Sequence, residues 1–263
     1  MNVLTDELDP KVVELRARLD AYYQSASDYS AFHVVNEKHD YWKPVIERSR
    51  SIAAKKGSCK ILEVGAGMTG FPHALGADTG GITFFAQDVT SQNEDHLRSV
   101  AGGVYIGDLS EITDQFDIIF STFVFEHITS PNASLQHMLS MLNPGGSIFI
   151  ACPRYGFPLY MPPSARHYGR LKQIRVMTSF LAKRLRAWIT GKPAFVIHLD
   201  PAILTQPSYY IDADAVHWPS IRDIRQSLPD GYSLRRIDLE AKGIPGLLYK
   251  TLMLINVEIR KDG

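Results

Sequence analysis

The sequence predicts an α/β fold built on a doubly wound, mostly parallel sheet. One observation is the run Lys60-Ile-Leu-Glu-Val-Gly-Ala-Gly-Met-Thr-Gly70, in which Ile61, Leu62 and Val64 break into Gly65, Gly67 and Gly70. A strand buried on both faces reads as such an apolar run, and glycines at that spacing let backbone approach a ligand closely. Phe71-Pro72-His73-Ala74-Leu75 follows, with Pro72 where a helix tolerates it, so the stretch reads as strand, tight turn, helix. A second observation is the regular alternation of apolar runs with helical patterns up to Cys152, the mark of a parallel sheet.

The elements follow in order. Pro10 to about Ala26 carries Val12, Val13, Leu15, Leu19 and Tyr22 at helical spacing. An aromatic-rich region follows, with Tyr22, Tyr23, Tyr29, Phe32, His33 and Tyr41. Tyr41 to Ala54 is a helix whose Trp42, Val45, Ile46 and Ile52 face the sheet. Strands are expected at Lys60 to Val64, Ile82 to Gln87, Val104 to Ile106, Phe116 to Ser121 and Ser147 to Cys152. Ser91 is the expected cap of a helix through Leu97. Pro131 to Leu142 is a helix that Asn143-Pro144-Gly145-Gly146 stops. Pro219 to Leu228 reads as the last crossover helix, and Tyr232 to Leu239 and Tyr249 to Ile259 as the final strands. Parallel strands place their carboxyl ends on one edge, where ligands of such sheets bind.

Taken together, Glu63-Val-Gly-Ala-Gly67, Asp88, Asp108 and Pro144-Gly145-Gly146 resemble the class I S-adenosylmethionine-dependent methyltransferases from about Lys60 to Cys152. The resemblance implies a seven-stranded sheet with the last strand antiparallel between two others, and S-adenosylmethionine as cofactor. It assigns cofactor binding to Glu63, Gly65, Ala66, Gly67, Asp88, Val89, Asp108, Leu109, Ser121 and Thr122. Asp88 would accept from the ribose hydroxyls, since one carboxylate has two oxygens for two donors. Asp108 would accept from the adenine amino group, with Ile106 and Leu109 flanking the ring. Glu63 would lie near the cofactor's positive charges. Phe125-Glu126-His127-Ile128 resembles a variant found after the fourth strand in small-molecule methyltransferases. His127 could then take a proton from an acceptor hydroxyl, because its free pKa lies near physiological pH. Glu126 could orient it or bind a cation.

Other readings stay open. Gly65-x-Gly67-x-x-Gly70 followed by Asp88 also fits a dinucleotide fingerprint, hence a nicotinamide-dependent oxidoreductase. A non-catalytic module that binds the cofactor or a membrane is the other alternative. The nine histidines show no metal-ligand spacing with cysteine or paired carboxylates, so no metal is expected.

The segment from Pro153 to about Ala215 departs from a minimal fold. From Arg154 to Leu199 it holds nine basic residues and no acidic one. Leu171, Ile174, Leu181, Leu185 and Trp188 recur among them at helical spacing. A basic amphipathic helix suits an anionic substrate or a membrane surface, through residues 166–192. A cap helix packed on the domain with a solvated basic face is slightly favoured. His167, Tyr168, His198, Tyr209 and Tyr210 are candidate pocket residues, because the insertion starts at the carboxyl-end edge.

These readings divide the chain into a helical lid (1–56), a cofactor-binding core (57–152), an insertion over the acceptor site (153–215) and the C-terminal part of the core (216–263). The expected reaction is methyl transfer to an oxygen or nitrogen of a small or glycan-like acceptor, which could be anionic if it meets the basic segment. The zero net charge and the lack of a recognition motif disfavour nucleic acid. The two cysteines, Cys59 and Cys152, are expected as buried reduced thiols. The acidic start lacks an apolar run, which predicts no signal peptide and a cytoplasmic location. No apolar run reaches transmembrane length; Ile244 to Val257 is interrupted by Lys250.

Overall fold

The computed structural model describes residues 10–25, 39–77, 79–157, 160–198, 214–240 and 243–262. Its strands are β1 (Cys59–Val64), β2 (Ile82–Asp88), β3 (Gly103–Ile106), β4 (Phe116–Thr122), β5 (Leu142–Pro153), β6 (Tyr232–Arg236) and β7 (Leu254–Lys261). Its helices are α1 (Pro10–Ser25), α2 (His39–Lys56), α3 (Phe71–Leu75), α4 (Glu94–Val100), α5 (Pro131–Ser140), α6 (Pro163–Arg166), α7 (Arg170–Thr190), α8 (Ile221–Gln226) and α9 (Gly243–Leu248). The strands form one seven-stranded sheet in the order β3-β2-β1-β4-β5-β7-β6. The first five are parallel, and β7 runs antiparallel between β5 and β6, as expected.

Successive strand residues serve opposite faces, which is why the strands read as continuous apolar runs. Leu62, Ile119, Ile148 and Ile150 pack with Leu135, Met138 and Leu139 of α5 and Ile224 of α8. Ile61, Ile118, Phe120 and Phe149 pack with Trp42, Val45, Ile46 and Ile52 of α2 and Phe71 of α3. Phe71 is fully buried, its ring 4.6 Å from Phe120 and 5.3 Å from Phe84. Cys59 and Cys152 are buried thiols, and burial, with Asp117 beside it, pushes the Cys59 thiol up to about 12.

Several element ends differ from the sequence reading. The chain leaves α5 two residues early, because Leu142 already pairs with Phe116 in the sheet; a register irregularity then precedes the pairing of Ile118 with Ser147. Gly146 makes that approach possible: a Cβ there would lie 2.9 Å from the carbonyl oxygens of Asn143 and Asp117. α4 starts after Asn93 rather than Ser91, and α8 is capped by the Ser220 side chain, beyond Pro219. Residues Tyr249–Met253 are a π-helical continuation of α9, and the strand begins only at Leu254. A stretch of five residues with Lys250 and Thr251 inside it is too short for periodicity to assign it to helix or strand.

The insertion has its own small core. Tyr155, Tyr168, Met177, Phe180, Val196 and Trp218 pack together. The Arg184 guanidinium ties α7 to Asp223 of α8 and to the Trp218 carbonyl. On α7 the buried residues are Met177, Phe180 and Ala187. Leu171, Ile174, Leu181, Leu185 and Trp188, which a cap helix packed on the domain would turn inward, are exposed. α7 therefore carries two apolar arcs, and the one holding Met177, Phe180 and Ala187 meets the body.

Candidate active site at the strand switch

The sheet order reverses between β1 and β4, so the loops after these strands leave in opposite directions and open a crevice. Residues 65–70 and 123–127 line it, with the ends of β2 and β3 alongside.

After β1, Gly65 and Gly67 both take left-handed backbone, with φ of 67° and 54°. A Cβ on Gly65 would lie 2.6 Å from both γ-methyls of Val124, so a side chain there would clash with the turn after β4. Gln87 and Asp88, at the end of β2, hold this loop. The Gly65 N–H donates to Gln87 Oε1 at 3.1 Å, and the Gly67 N–H to Asp88 Oδ2 at 2.8 Å. The Gln87 amide in turn donates to the Gly107 carbonyl at 2.8 Å, linking the loops after β1 and β3. Asp88 Oδ1 accepts from the Thr90 N–H at 3.0 Å. Burial raises the Asp88 pKa, against the pull of its N–H donors from Thr90 and Gly67. Glu63 is buried beneath the loop, whereas Val89 is half exposed at the rim.

Asp108 caps the short turn Leu109–Glu111, accepting from the Ser110 N–H at 2.8 Å, and its other oxygen is ion-paired with Arg16 of α1. α1 makes further contacts along this edge. The Gln92 amide donates to the Tyr23 carbonyl at 2.7 Å, and Leu15 and Leu19 pack on Val216.

After β4, Ser121 and Thr122 are buried strand-end residues. Phe123 then adopts a φ of 58°, a left-handed conformation that costs a non-glycine residue of order 1–3 kcal/mol. The Phe123 ring meets Tyr41 edge-on at 5.1 Å. The turn Phe125–His127 follows. Nδ1 of His127 lies 3.1 Å from Asp214 Oδ2, and the Tyr23 hydroxyl donates to the same oxygen at 2.7 Å. Asp214 is fully buried. Burial alone would raise its pKa, but the charge and hydrogen bond of His127, with the Tyr23 hydroxyl, hold it below the usual carboxylate value. Glu126 Oε1 is 4.0 Å from His127 Nε2, so the carboxylate within hydrogen-bond reach of the ring is Asp214.

A second histidine, His217, is fully buried against this turn. Its Nδ1 lies 3.0 Å from the Phe125 carbonyl, which can only accept, so Nδ1 carries the proton. Burial pushes its pKa from 6.5 down to about 4. Its backbone N–H donates to the Glu126 carbonyl at 2.9 Å, seating the 214–218 segment under residues 125–127.

The expected cofactor residues after β1, β2, β3 and β4 therefore converge on one edge. The expected acceptor residues divide. Tyr168 and His198 pair with each other at 3.0 Å, and the His198 ring stacks on Trp218 at 5.3 Å, inside the insertion's own core. His167 packs on Tyr168. Tyr29, Phe32, His33, Tyr209 and Tyr210 lie outside the described residues. Gln87, Arg16 and Asp214 escaped the sequence reading as site residues, and Tyr23 entered it only as part of the aromatic-rich region.

Residues 32–199, more than half of the chain, match the family described as methyltransferase domain. Ubiquinone biosynthesis O-methyltransferase of Pseudomonas putida (strain GB-1) is 21% identical over 149 residues, 54% of this chain and 61% of the relative's length. Among solved structures, the plantazolicin methyltransferase BpumL, in complex with a monoazolic desmethylPZN analog and SAH, superposes with a TM-score of 0.56 at 12% identity; the match covers 96% of this chain and 98% of that one. The plantazolicin methyltransferase BamL, with a triazolic analog and SAH, gives 0.50 at 15% identity over 96% and 98%. At such identities the likeness speaks for the fold.

Proposed function

We propose that this chain, which belongs to the methyltransferase-domain family and has the fold of the class I S-adenosylmethionine-dependent enzymes, methylates a hydroxyl oxygen of a small-molecule acceptor, with His127 as general base. The observation that carries this reading is the pairing of His127 with buried Asp214 at the strand switch. The residues present fit the cofactor. Gly65 and Gly67 carry the loop through left-handed backbone with no side chain on that edge, and Glu63, Asp88 and Asp108 bring three carboxylates to the ends of β1, β2 and β3. A cofactor carrying ammonium and sulfonium charges and ribose donors suits that set. Bound there, it supplies a methyl group on a positively charged sulfur.

The chain's own residues then have a small task. The glycine loop binds, Asp88 and Asp108 orient, and buried Ser121 and Thr122 floor the crevice. Asp214 accepts from Nδ1–H of His127, which leaves Nε2 as the proton acceptor. As Nε2 takes the acceptor's hydroxyl proton, Asp214 stabilises the imidazolium that forms. Alignment and proton removal are what methyl transfer to a hydroxyl needs from the protein. The curated relative is named an O-methyltransferase, which supports oxygen over nitrogen.

The test is turnover with methyl-labelled S-adenosylmethionine on a panel of phenols and alcohols. His127→Ala and Asp214→Asn are each expected to lower kcat by about 10²–10⁴, the usual worth of a general base. Calorimetric affinity for S-adenosylhomocysteine should stay unchanged in both. Wild-type kcat in both variants would remove His127 from the chemistry.

A further inference from the structure

α7 divides around its axis into three arcs of about 100° each, taking 100° per residue. Met177, Phe180, Arg184 and Ala187 share the arc that meets the protein body. The next arc holds Leu171, Ile174, Leu181, Leu185 and Trp188, which are 86%, 60%, 39%, 57% and 64% exposed. The third holds exposed Arg175, Lys183 and Arg186. On the other side of the apolar arc, exposed Arg222 of α8 donates to the Trp188 carbonyl. The apolar stripe from Leu171 to Trp188 is about 25 Å long at 1.5 Å per residue.

We infer that α7 is a peripheral membrane anchor: its Leu171-to-Trp188 arc enters the headgroup region of a bilayer bearing anionic lipids, while Arg175, Lys183 and Arg186 contact the lipid phosphates. The charge pattern selects this occupant. The helix carries Arg170, Lys172, Arg175, Lys183, Arg184 and Arg186 and no acidic residue, so a second copy of the same face would meet like charge. A soluble anion would need the cations and leave the five apolar side chains in water. An anionic bilayer satisfies both arcs at once, and a tryptophan at the end of such a stripe suits the interface. No helix among the described residues is long and apolar enough to cross a membrane, so the helix lies along the surface. The inference does not rest on the proposed reaction.

Flotation of the full chain with phosphatidylcholine vesicles, with and without phosphatidylglycerol, tests it. At least about tenfold more protein should float with the anionic vesicles, and raised salt should weaken this severalfold. The triple variant Leu181→Ser, Leu185→Ser, Trp188→Ser should lose that binding, as should Lys183→Glu with Arg186→Glu, while both keep wild-type affinity for S-adenosylhomocysteine. A second readout needs no variant. Trp42 and Trp218 are 1% and 2% exposed, so a blue shift of tryptophan emission on adding anionic vesicles, quenched by brominated lipid, reports Trp188. Wild-type protein that stays in solution without a spectral shift overturns the inference. So does equal binding to neutral vesicles, or a dimer whose formation depends on Trp188 and excludes vesicle binding.

Discussion

β1 and α7 are both apolar stretches, and they end in opposite surroundings. Ile61, Leu62 and Val64 are all buried, because a strand in the middle of a parallel sheet has helices over both faces. Leu171, Ile174 and Leu185 are all exposed, because a helix meets the body along one arc only. For the strand, apolar composition and burial are one statement. For the helix they are separate, and the basic neighbours of the exposed arc mark it as a surface feature. The same contrast runs through the site. Its cofactor half is built from strand ends and its base partner from the insertion.

Four measurements would break or sharpen the contrast. The largest effect is expected in the sheet. Phe71→Ala empties a fully buried site against Trp42, Phe84 and Phe120, and should lower unfolding free energy in urea by about 3–5 kcal/mol. A loss within 1 kcal/mol would mean that the helix-covered face is loosely packed. Next comes the seam where the insertion meets the β4 turn. His217 has a folded pKa of about 4 against 6.5 when free, so between these values the unfolded chain binds the extra proton. Stability should fall as pH drops through that window, by about 3 kcal/mol in all at about 1.4 kcal/mol per unit. His217→Gln should flatten this part of the profile; an unchanged slope would place the acid sensitivity elsewhere.

A somewhat smaller effect is expected at the cofactor edge. Asp88→Ala removes the acceptor of the Gly67 N–H and the proposed ribose contacts, and should weaken S-adenosylhomocysteine binding about a hundredfold by calorimetry. Unchanged affinity would count against the whole cradle. The smallest effect is expected on α7. Leu185→Ser should change stability by less than about 0.5 kcal/mol, as exposed substitutions do. A loss of 2 kcal/mol there would show the arc packed rather than exposed.

Much of this molecule was legible before folding. The apolar run into Gly65, the alternation up to Cys152 and the antiparallel β7 all appear where the residues and the family resemblance place them. Boundaries slipped where local chemistry is ambiguous, as at Tyr249–Met253, whose apolar residues suit helix and strand alike. Gln87 was passed over because its role lies in bridging Gly65 and Gly107, neighbours only across the sheet. Asp108 pairs with an arginine from α1 that no local pattern assigns to it.

By itself, then, the order of apolar runs, glycines and acids determined a parallel sheet and the edge at which it can hold a ligand. Those features depend on residues close in the chain, where spacing is already geometry. Only the tertiary structure decided that Asp214 and Tyr23 converge on His127, and that α7 turns Leu171 and Trp188 outward. Both depend on which distant surfaces cover one another, and the spacing of residues along a chain does not encode that.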